Sequence, residues 1–178
     1  MSSLLPSLTT TPDKKPPITC HVLNTVTGLP ASGISVSLIL MRPYGPSSPL
    51  TSTTNSDGRV TSWTSPAGGP SLDEIFANAQ EHAVTSTSTS TSTSIDGPTG
   101  SDEGVGVGKV ALTHEEQTLA TGEMVWALKF DVGSYFQGEG FWEVVEVRFR
   151  TRVEKGGREH WHVPLLLSPY AYSTYRGS

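Results

Sequence analysis

Two histidines separated by one residue form the pattern in this chain that most suggests chemistry. His160 and His162 lie in the run Glu159 to Leu167, which has the composition of a β-strand. Because alternate residues of a strand point to the same face, both imidazoles are expected on one face. Such a pair suits metal binding or acid/base catalysis. Spacing alone leaves three interpretations open: structural or solvated histidines, a zinc site, and a catalytic site.

A third histidine and an arginine are further candidates near the beginning of the chain. His21 follows Cys20 in an alternating run over Ile18 to Asn24, where adjacent side chains point to opposite faces, so the two cannot form a nucleophile and base pair. Cys20 is therefore predicted to lie in the core. Arg59 follows the turn signal Asn55-Ser56-Asp57-Gly58, which places it at a sheet end. Taken alone, it is typical of a solvated residue.

Several common functions are excluded by signatures that the sequence lacks. There is no Gly-x-Ser-x-Gly nucleophile motif, and the run Gly104 to Val110 lacks the spacing of a phosphate-binding loop. The net charge of −5, without any basic run, argues against a nucleic-acid partner. A single cysteine allows neither an internal disulfide nor a Cys-based metal site, which favours a reducing compartment.

Targeting and membrane signals are also not apparent. Met1 to Pro6 has no charged n-region and no apolar core, so we expect no secretory signal. No apolar run approaches the roughly 18 residues needed to span a bilayer, so no membrane association is expected. The sequence ends in Tyr175-Arg176-Gly177-Ser178 rather than in a peroxisomal tripeptide. These features predict a soluble intracellular protein.

The elements that must position these residues are mainly short strands. Alternating runs separated by turn signals predict strands at Ile18–Asn24, Ile34–Met41, Arg59–Trp63, Glu123–Asp131, Val144–Arg150 and Glu159–Leu167. Lys155 to Arg158 is predicted to join the last two in a β-hairpin. Ser71 to Ala79 has capping-box spacing, which indicates one short helix. We therefore predict an all-β fold, an antiparallel β-sandwich with at most one short helix.

Composition divides the chain into a tail, a domain and an insertion. Residues 1–17 are rich in Ser, Thr and Pro, and we predict a disordered N-terminal tail. Residues 18–178 form the predicted domain. Within it, about 83–108 is low in complexity, with a strict Thr-Ser alternation followed by Gly, Ser and acidic residues. We predict a long disordered insertion there.

Four motifs taken together resemble one known family. They are His21-Val22-Leu23-Asn24-Thr25 with Gly28-x-Pro30-Ala31, then Thr54 to Arg59, then His160-Trp161-His162-Val163-Pro164-Leu165-Leu166-Leu167-Ser168-Pro169-Tyr170, and Tyr172 to Ser178 with its Tyr-Arg-Gly-Ser ending. In these segments the chain is similar to the 5-hydroxyisourate hydrolases, the transthyretin-related enzymes of urate breakdown. The resemblance spans about Ile18–Trp63 and Gly122–Ser178.

The resemblance implies a fold, an assembly and a reaction. It implies a transthyretin-like sandwich in a homotetramer, with active sites where two dimers meet, and a cytoplasmic or peroxisomal location. The implied substrate is the small molecule 5-hydroxyisourate, opened by water to 2-oxo-4-hydroxy-4-carboxy-5-ureidoimidazoline, with no cofactor or metal. The implied site residues are His21, Arg59, His162 and Tyr175. In our hypothesis the two histidines handle the water and leaving-group protons, Arg59 binds the substrate and its developing charge, and Tyr175 closes the site.

Two alternative functions stay open, and in two places the chain differs from the usual pattern of the family. The alternatives are a transthyretin-like binding protein without hydrolase activity, and a metal-dependent hydrolase or metal-binding module that uses His21, His160 and His162. The insertion between Trp63 and Gly122 is longer than the usual connection in the family, and we expect a loop without effect on function. Gly133 to Gly140 is short and glycine-rich where family members carry a small helix, so that helix is expected to be truncated or absent.

Overall fold

The computed structural model describes residues 15–87, 122–153 and 159–178. Within these ranges the strands and helices follow in chain order: β1 Ile18–Asn24, β2 Leu29–Pro30, β3 Ser35–Arg42, β4 Leu50–Thr53, β5 Arg59–Val60, α1 Leu72–Thr87, β6 Glu123–Asp131, α2 Val132–Tyr135, β7 Val144–Arg152, β8 Trp161–Leu167 and β9 Tyr172–Thr174. The bounds predicted for β1 and β6 are confirmed. The strand predicted over Arg59–Trp63 is confined to its first two residues.

The strands form two sheets packed face to face, which confirms the predicted transthyretin-like β-sandwich. The first sheet has the order β2-β1-β8-β9, with β5 also paired to β1, and the second has the order β4-β3-β6-β7. All named strand pairs are antiparallel except β1 with β8, which run parallel in continuous register from Ile18 opposite Trp161 to Asn24 opposite Leu167. This parallel pair carries His21 and His162, two of the four candidate site residues.

The predicted β-hairpin between the last two long strands is wrong. β7 pairs with β6 along its whole length in the second sheet, whereas β8 lies between β1 and β9 in the first. The chain therefore crosses from one sheet to the other between them, and residues 154–158 of the predicted turn lie outside the described residues. A glycine-rich connection between two alternating strands looks the same in sequence whether it turns within a sheet or crosses between sheets.

Helix α1 packs against both sheets of the sandwich. Its predicted capping box is present: the Ser71 backbone amide donates to Glu74 Oε2 at 2.7 Å, and the Glu74 amide donates to Ser71 Oγ at 3.3 Å. Phe76 is buried, and its ring stacks on Trp126 of the second sheet and Trp161 of the first, at centroid distances of 5.6 and 5.3 Å. The helix therefore joins the two sheets through one aromatic stack.

The helical content exceeds the prediction of at most one short helix. Helix α1 has 16 residues and takes in the first residues of the predicted insertion, whose remainder, 88–108, lies outside the described part of the chain. Helix α2 has four residues, and Asp131 caps its N-terminus by accepting a hydrogen bond from the Ser134 amide at 3.1 Å. It is short, as expected. Among the described residues, no helix is long and apolar enough to cross a membrane.

Residues 1–14 of the predicted tail lie outside the described residues. The next residues lie against β8: Trp161 donates its backbone amide to the Pro17 carbonyl at 2.8 Å, and Pro17 is buried. This contact brings the chain before β1 beside the two histidines of the His-x-His motif.

Candidate active site

The pairing of β1 with β5 and β8 brings three of the predicted site residues together. On one side His21 is directly opposite Arg59 of β5, and on the other Thr19 is opposite His162 of β8. Residues opposite each other in a sheet share a face, so these side chains all project from the outer face of the first sheet. His21 and His162 are half-buried and Arg59 is exposed.

The opposite face of β1 belongs to the core. Cys20 is fully buried, as predicted, and burial raises the pKa of its thiol to about 12. Since the thiolate is the nucleophilic form, Cys20 is inert near neutral pH. The chemistry of this region therefore depends on the outer face.

The turn before Arg59 explains why this motif requires its asparagine and glycine. Asn55 Oδ1 accepts hydrogen bonds from the backbone amides of Asp57 and Arg59, at 3.0 and 2.9 Å. Gly58 has a φ of +69°, and a Cβ there would lie 2.4 Å from the Val22 carbonyl oxygen. Glycine is needed both for the left-handed backbone and for this close approach to β1. The turn thereby fixes Arg59 opposite His21.

The charges and burial of the site favour neutral imidazoles. The pKa of His162 is lowered below its ordinary value of 6.5, first by burial and then by the positive charges of Arg59, His160, His21 and Lys15. The pKa of His21 is lowered too, by burial and by Arg59, against the opposing effects of a hydrogen bond to the Asp57 backbone and the Asp57 charge. Neutral histidine is the form that accepts a proton, so both can act as bases near neutral pH.

A hydroxyl group connects the two histidines of the His-x-His motif. Thr19 Oγ1 lies 2.8 Å from Nδ1 of His162 and 3.1 Å from Nε2 of His160. His160 Nδ1 in turn donates to the Pro16 carbonyl oxygen at 3.0 Å. The two imidazoles share a face, as predicted, with ring centroids 6.4 Å apart. Sequence reasoning did not select Thr19; its place two residues before His21, on the same face of β1, was the available signal.

The last seven residues fold back along β8 and form hydrogen bonds to its backbone carbonyls. Thr174 Oγ1 donates to the Pro164 carbonyl at 2.8 Å, and the Gly177 amide donates to the His162 carbonyl at 2.9 Å. A Cβ on Gly177 would lie 2.7 Å from Cδ2 of His162, so the Tyr-Arg-Gly-Ser motif needs glycine to pass over this ring. Tyr175 itself is 58% exposed and is not among the residues that line the cleft. The structure therefore does not bring it against the three other predicted site residues.

A cleft of about 810 Å³ opens beside this cluster, lined by Thr19, Arg59, His160, His162 and Ser178 among others. A separate, more apolar cavity between α1 and the β3–β4 connection contains none of the predicted site residues. In the described part of the chain, no three His, Cys, Asp or Glu side chains converge in a way that could hold a metal ion. Both ring nitrogens of His160 already have hydrogen-bond partners in Thr19 and Pro16.

The sequence profile of the HIUase/transthyretin family matches residues 18–177. The chain belongs to this family. A "Probable 5-hydroxyisourate hydrolase" of Schizosaccharomyces pombe is 31% identical over 169 residues, covering 92% of each chain. The "5-hydroxyisourate hydrolase 2" of Rhizobium meliloti is 33% identical over 168 residues, covering 90% of this chain and 95% of its own.

Among solved structures, transthyretin from Sparus aurata matches with a TM-score of 0.53 at 18% identity, covering 92% of this chain and 97% of its own. That likeness supports the HIUase/transthyretin fold alone, since fold does not determine function. Within the family, the site of this chain is therefore the feature that bears on its activity.

Proposed function

We propose that this chain hydrolyses 5-hydroxyisourate to 2-oxo-4-hydroxy-4-carboxy-5-ureidoimidazoline, a step of urate and hence purine degradation. The observation that carries the proposal is the grouping of His21, Arg59 and His162 on the outer face of one sheet. The names of the two similar relatives support the same reaction. A cyclic amide hydrolysis needs a base for water, a stabiliser for the oxyanion and a group that orients a planar ring.

The three residues supply these requirements in the following way. One histidine removes a proton from water as the water oxygen bonds to the ring carbonyl carbon. The tetrahedral intermediate then collapses, the carbon–nitrogen bond breaks, and the departing nitrogen takes up a proton from a histidine. Arg59, with its fixed charge and planar set of donors, binds the polar edge of the substrate and the developing negative charge. We assign no cofactor or metal to this reaction.

Tyr175 and the homotetramer form a second part of the proposal. The Tyr175 side chain is exposed, and so are Tyr170 and Tyr172 of the same terminal region, 73% and 40% respectively. In a homotetramer whose sites lie where two dimers meet, Tyr175 would contact the substrate and close the cleft. Light scattering of the purified chain tests the assembly, and Tyr175→Phe tests the hydroxyl, with a rise in KM expected.

The cytoplasmic or peroxisomal location stays a prediction from the sequence. Imaging of the tagged full chain beside a peroxisomal marker distinguishes the two compartments. The reaction proposed here does not depend on which of them holds the protein.

The direct test follows the decay of 5-hydroxyisourate, generated in place by urate oxidase, by ultraviolet absorbance and circular dichroism. We expect rapid, stereoselective decay, and a loss of about 10²–10⁴-fold in kcat for His21→Ala and for His162→Ala. Arg59→Ala is matched with Arg148→Ala, which removes an exposed arginine that pairs with Glu146 on β7, away from the cleft. Only the former is expected to lower turnover.

Three results would contradict parts of the proposal. Decay at the uncatalysed rate by a folded protein would favour a transthyretin-like binding protein. Near-normal turnover of His162→Ala would show that His162 is not a catalytic residue. Activity should survive exhaustive chelation, and its loss would favour the metal-dependent alternative that uses His21, His160 and His162.

A further inference from the structure

The hydrogen bonds around His162 determine which of its nitrogens carries the proton. The starting point is the Pro16 carbonyl, which can only accept a hydrogen bond. His160 Nδ1, 3.0 Å away, must therefore be the donor and carry a proton. In a neutral imidazole the other nitrogen, Nε2, is then an acceptor.

The proton on His160 Nδ1 also determines the direction of the two hydrogen bonds that Thr19 makes. When the His160 ring is neutral, its Nε2 accepts, and the Thr19 hydroxyl donates its one proton across the 3.1 Å contact. The oxygen of Thr19 can then only accept across its 2.8 Å contact with His162, so Nδ1 of His162 carries the proton. The order of donors runs from His162 to Thr19, to His160 and to the Pro16 carbonyl.

The remaining nitrogen of His162 is consequently the basic one. No hydrogen bond from the described residues engages Nε2, and His162 lines the cleft with Arg59. We propose that Thr19 and His160 are positioning residues that hold His162 in the tautomer with a proton on Nδ1, so that Nε2 faces the cleft as the base for water. This inference rests on the proposed role of His162 and names which histidine is the base.

The burial of the connecting residues supports a fixed arrangement. Thr19 is 7% exposed, so its hydroxyl cannot readily exchange its partners for water. The His160 ring is held at both nitrogens, by Thr19 and by the Pro16 carbonyl. Gly177 packs over Cδ2 of His162 and its amide holds the His162 carbonyl, which restricts the ring from the other side.

The tautomer is measured directly by ¹⁵N NMR of protein labelled at histidine, with the His162 signals assigned by their loss in His162→Ala. In the unaltered protein we expect a protonated Nδ1 and an unprotonated Nε2 at a pH where the ring is neutral. A protonated Nε2 in the neutral ring would overturn the proposal. This readout does not depend on turnover, so it stays decisive even if the protein fails to hydrolyse 5-hydroxyisourate.

Three variants, two at Thr19 and one at His160, test the hydrogen-bond connection between His162 and His160. Thr19→Val keeps the volume and removes the hydroxyl, whereas Thr19→Ser keeps the hydroxyl and should retain activity. His160→Phe leaves the hydroxyl but removes its acceptor, which frees Thr19 to donate to Nδ1 of His162 and reverse the tautomer. We expect Thr19→Val and His160→Phe each to lower kcat by about 10- to 100-fold, less than loss of the base itself.

The double variant distinguishes a hydrogen-bond chain from two independent packing effects. Because both substitutions interrupt one chain, Thr19→Val/His160→Phe should lower kcat little more than either change alone. Fully multiplicative losses, or wild-type kcat in Thr19→Val, would overturn the proposal. Thermal unfolding and light scattering on each variant establish that the compared proteins are folded and equally assembled.

Discussion

Substitution of Gly177 by alanine tests whether the terminal segment fixes the ring of His162. The added Cβ would lie 2.7 Å from His162 Cδ2 and 3.1 Å from Pro164 Cγ. Carbon atoms in favourable contact are about 3.5–4.0 Å apart, so one group must move by roughly 1 Å. The ring is held at Nδ1 by Thr19, and the segment is held by the hydrogen bond from the Gly177 amide to the His162 carbonyl.

Either movement disturbs the reaction geometry. If the ring turns, the base leaves its position, and if the segment lifts, the cleft loses the wall that contains Ser178. Since a misplacement of about 1 Å can cost about 10²-fold, we expect Gly177→Ala to lower kcat by about that factor. The measurement is steady-state decay of 5-hydroxyisourate by circular dichroism, with thermal unfolding in parallel.

The control is Ser173→Ala, in the same terminal segment, where an exposed hydroxyl is removed and no atom is added near His162. It should leave kcat unchanged. Wild-type kcat in Gly177→Ala, with the ¹⁵N signals of His162 also unchanged, would refute the reasoning that connects the Tyr-Arg-Gly-Ser motif to this ring.

Two further predictions concern the aromatic stack and the charge of the site. Phe76→Ala removes the ring between Trp126 and Trp161. It should lower the free energy of unfolding, measured by denaturant titration, by about 3–5 kcal/mol. A loss below about 1 kcal/mol would contradict the role of α1 in joining the two sheets. Burial and then Arg59 lower the pKa of His162, so loss of that charge in Arg59→Gln should raise the pKa. The acidic limb of kcat/KM against pH should then move to higher pH, while Arg59→Lys leaves it in place; an unmoved limb in Arg59→Gln would contradict the assignment.

The parts of the fold that the sequence predicts are those with a strong local pattern. Strand β1 alternates between buried and half-buried residues from Cys20 to Asn24, and β6 has five consecutive buried residues from Met124 to Leu128. The bounds of both strands match the prediction. The capping box of α1 is likewise a local signal between Ser71 and Glu74. The prediction ends the helix at Ala79, whereas α1 continues to Thr87; only its last three residues belong to the Thr-Ser alternation, a composition of low helix propensity.

The errors concern which elements become neighbours. The composition of the Gly-Gly connection after β7 fits a tight turn and therefore predicts a hairpin, yet the choice of sheet depends on where the apolar faces of β7 and β8 are buried. The parallel pairing of β1 with β8 joins segments at opposite ends of the chain, so no spacing along the sequence marks it. It nevertheless places Thr19 beside His162.

The His-x-His pattern shows how far residue types alone can be interpreted. Strand alternation correctly predicts that His160 and His162 share a face, but it treats two identical side chains as equivalent. They differ because a backbone carbonyl of Pro16, contributed by the chain before β1, reaches only one of them. That carbonyl is a hydrogen-bond partner of His160, whereas Thr19 contacts Nδ1 of His162 and no described residue hydrogen-bonds its Nε2. The proposed distinction between a base and a positioning residue thus rests on tertiary hydrogen bonds, which the spacing of the two histidines does not encode.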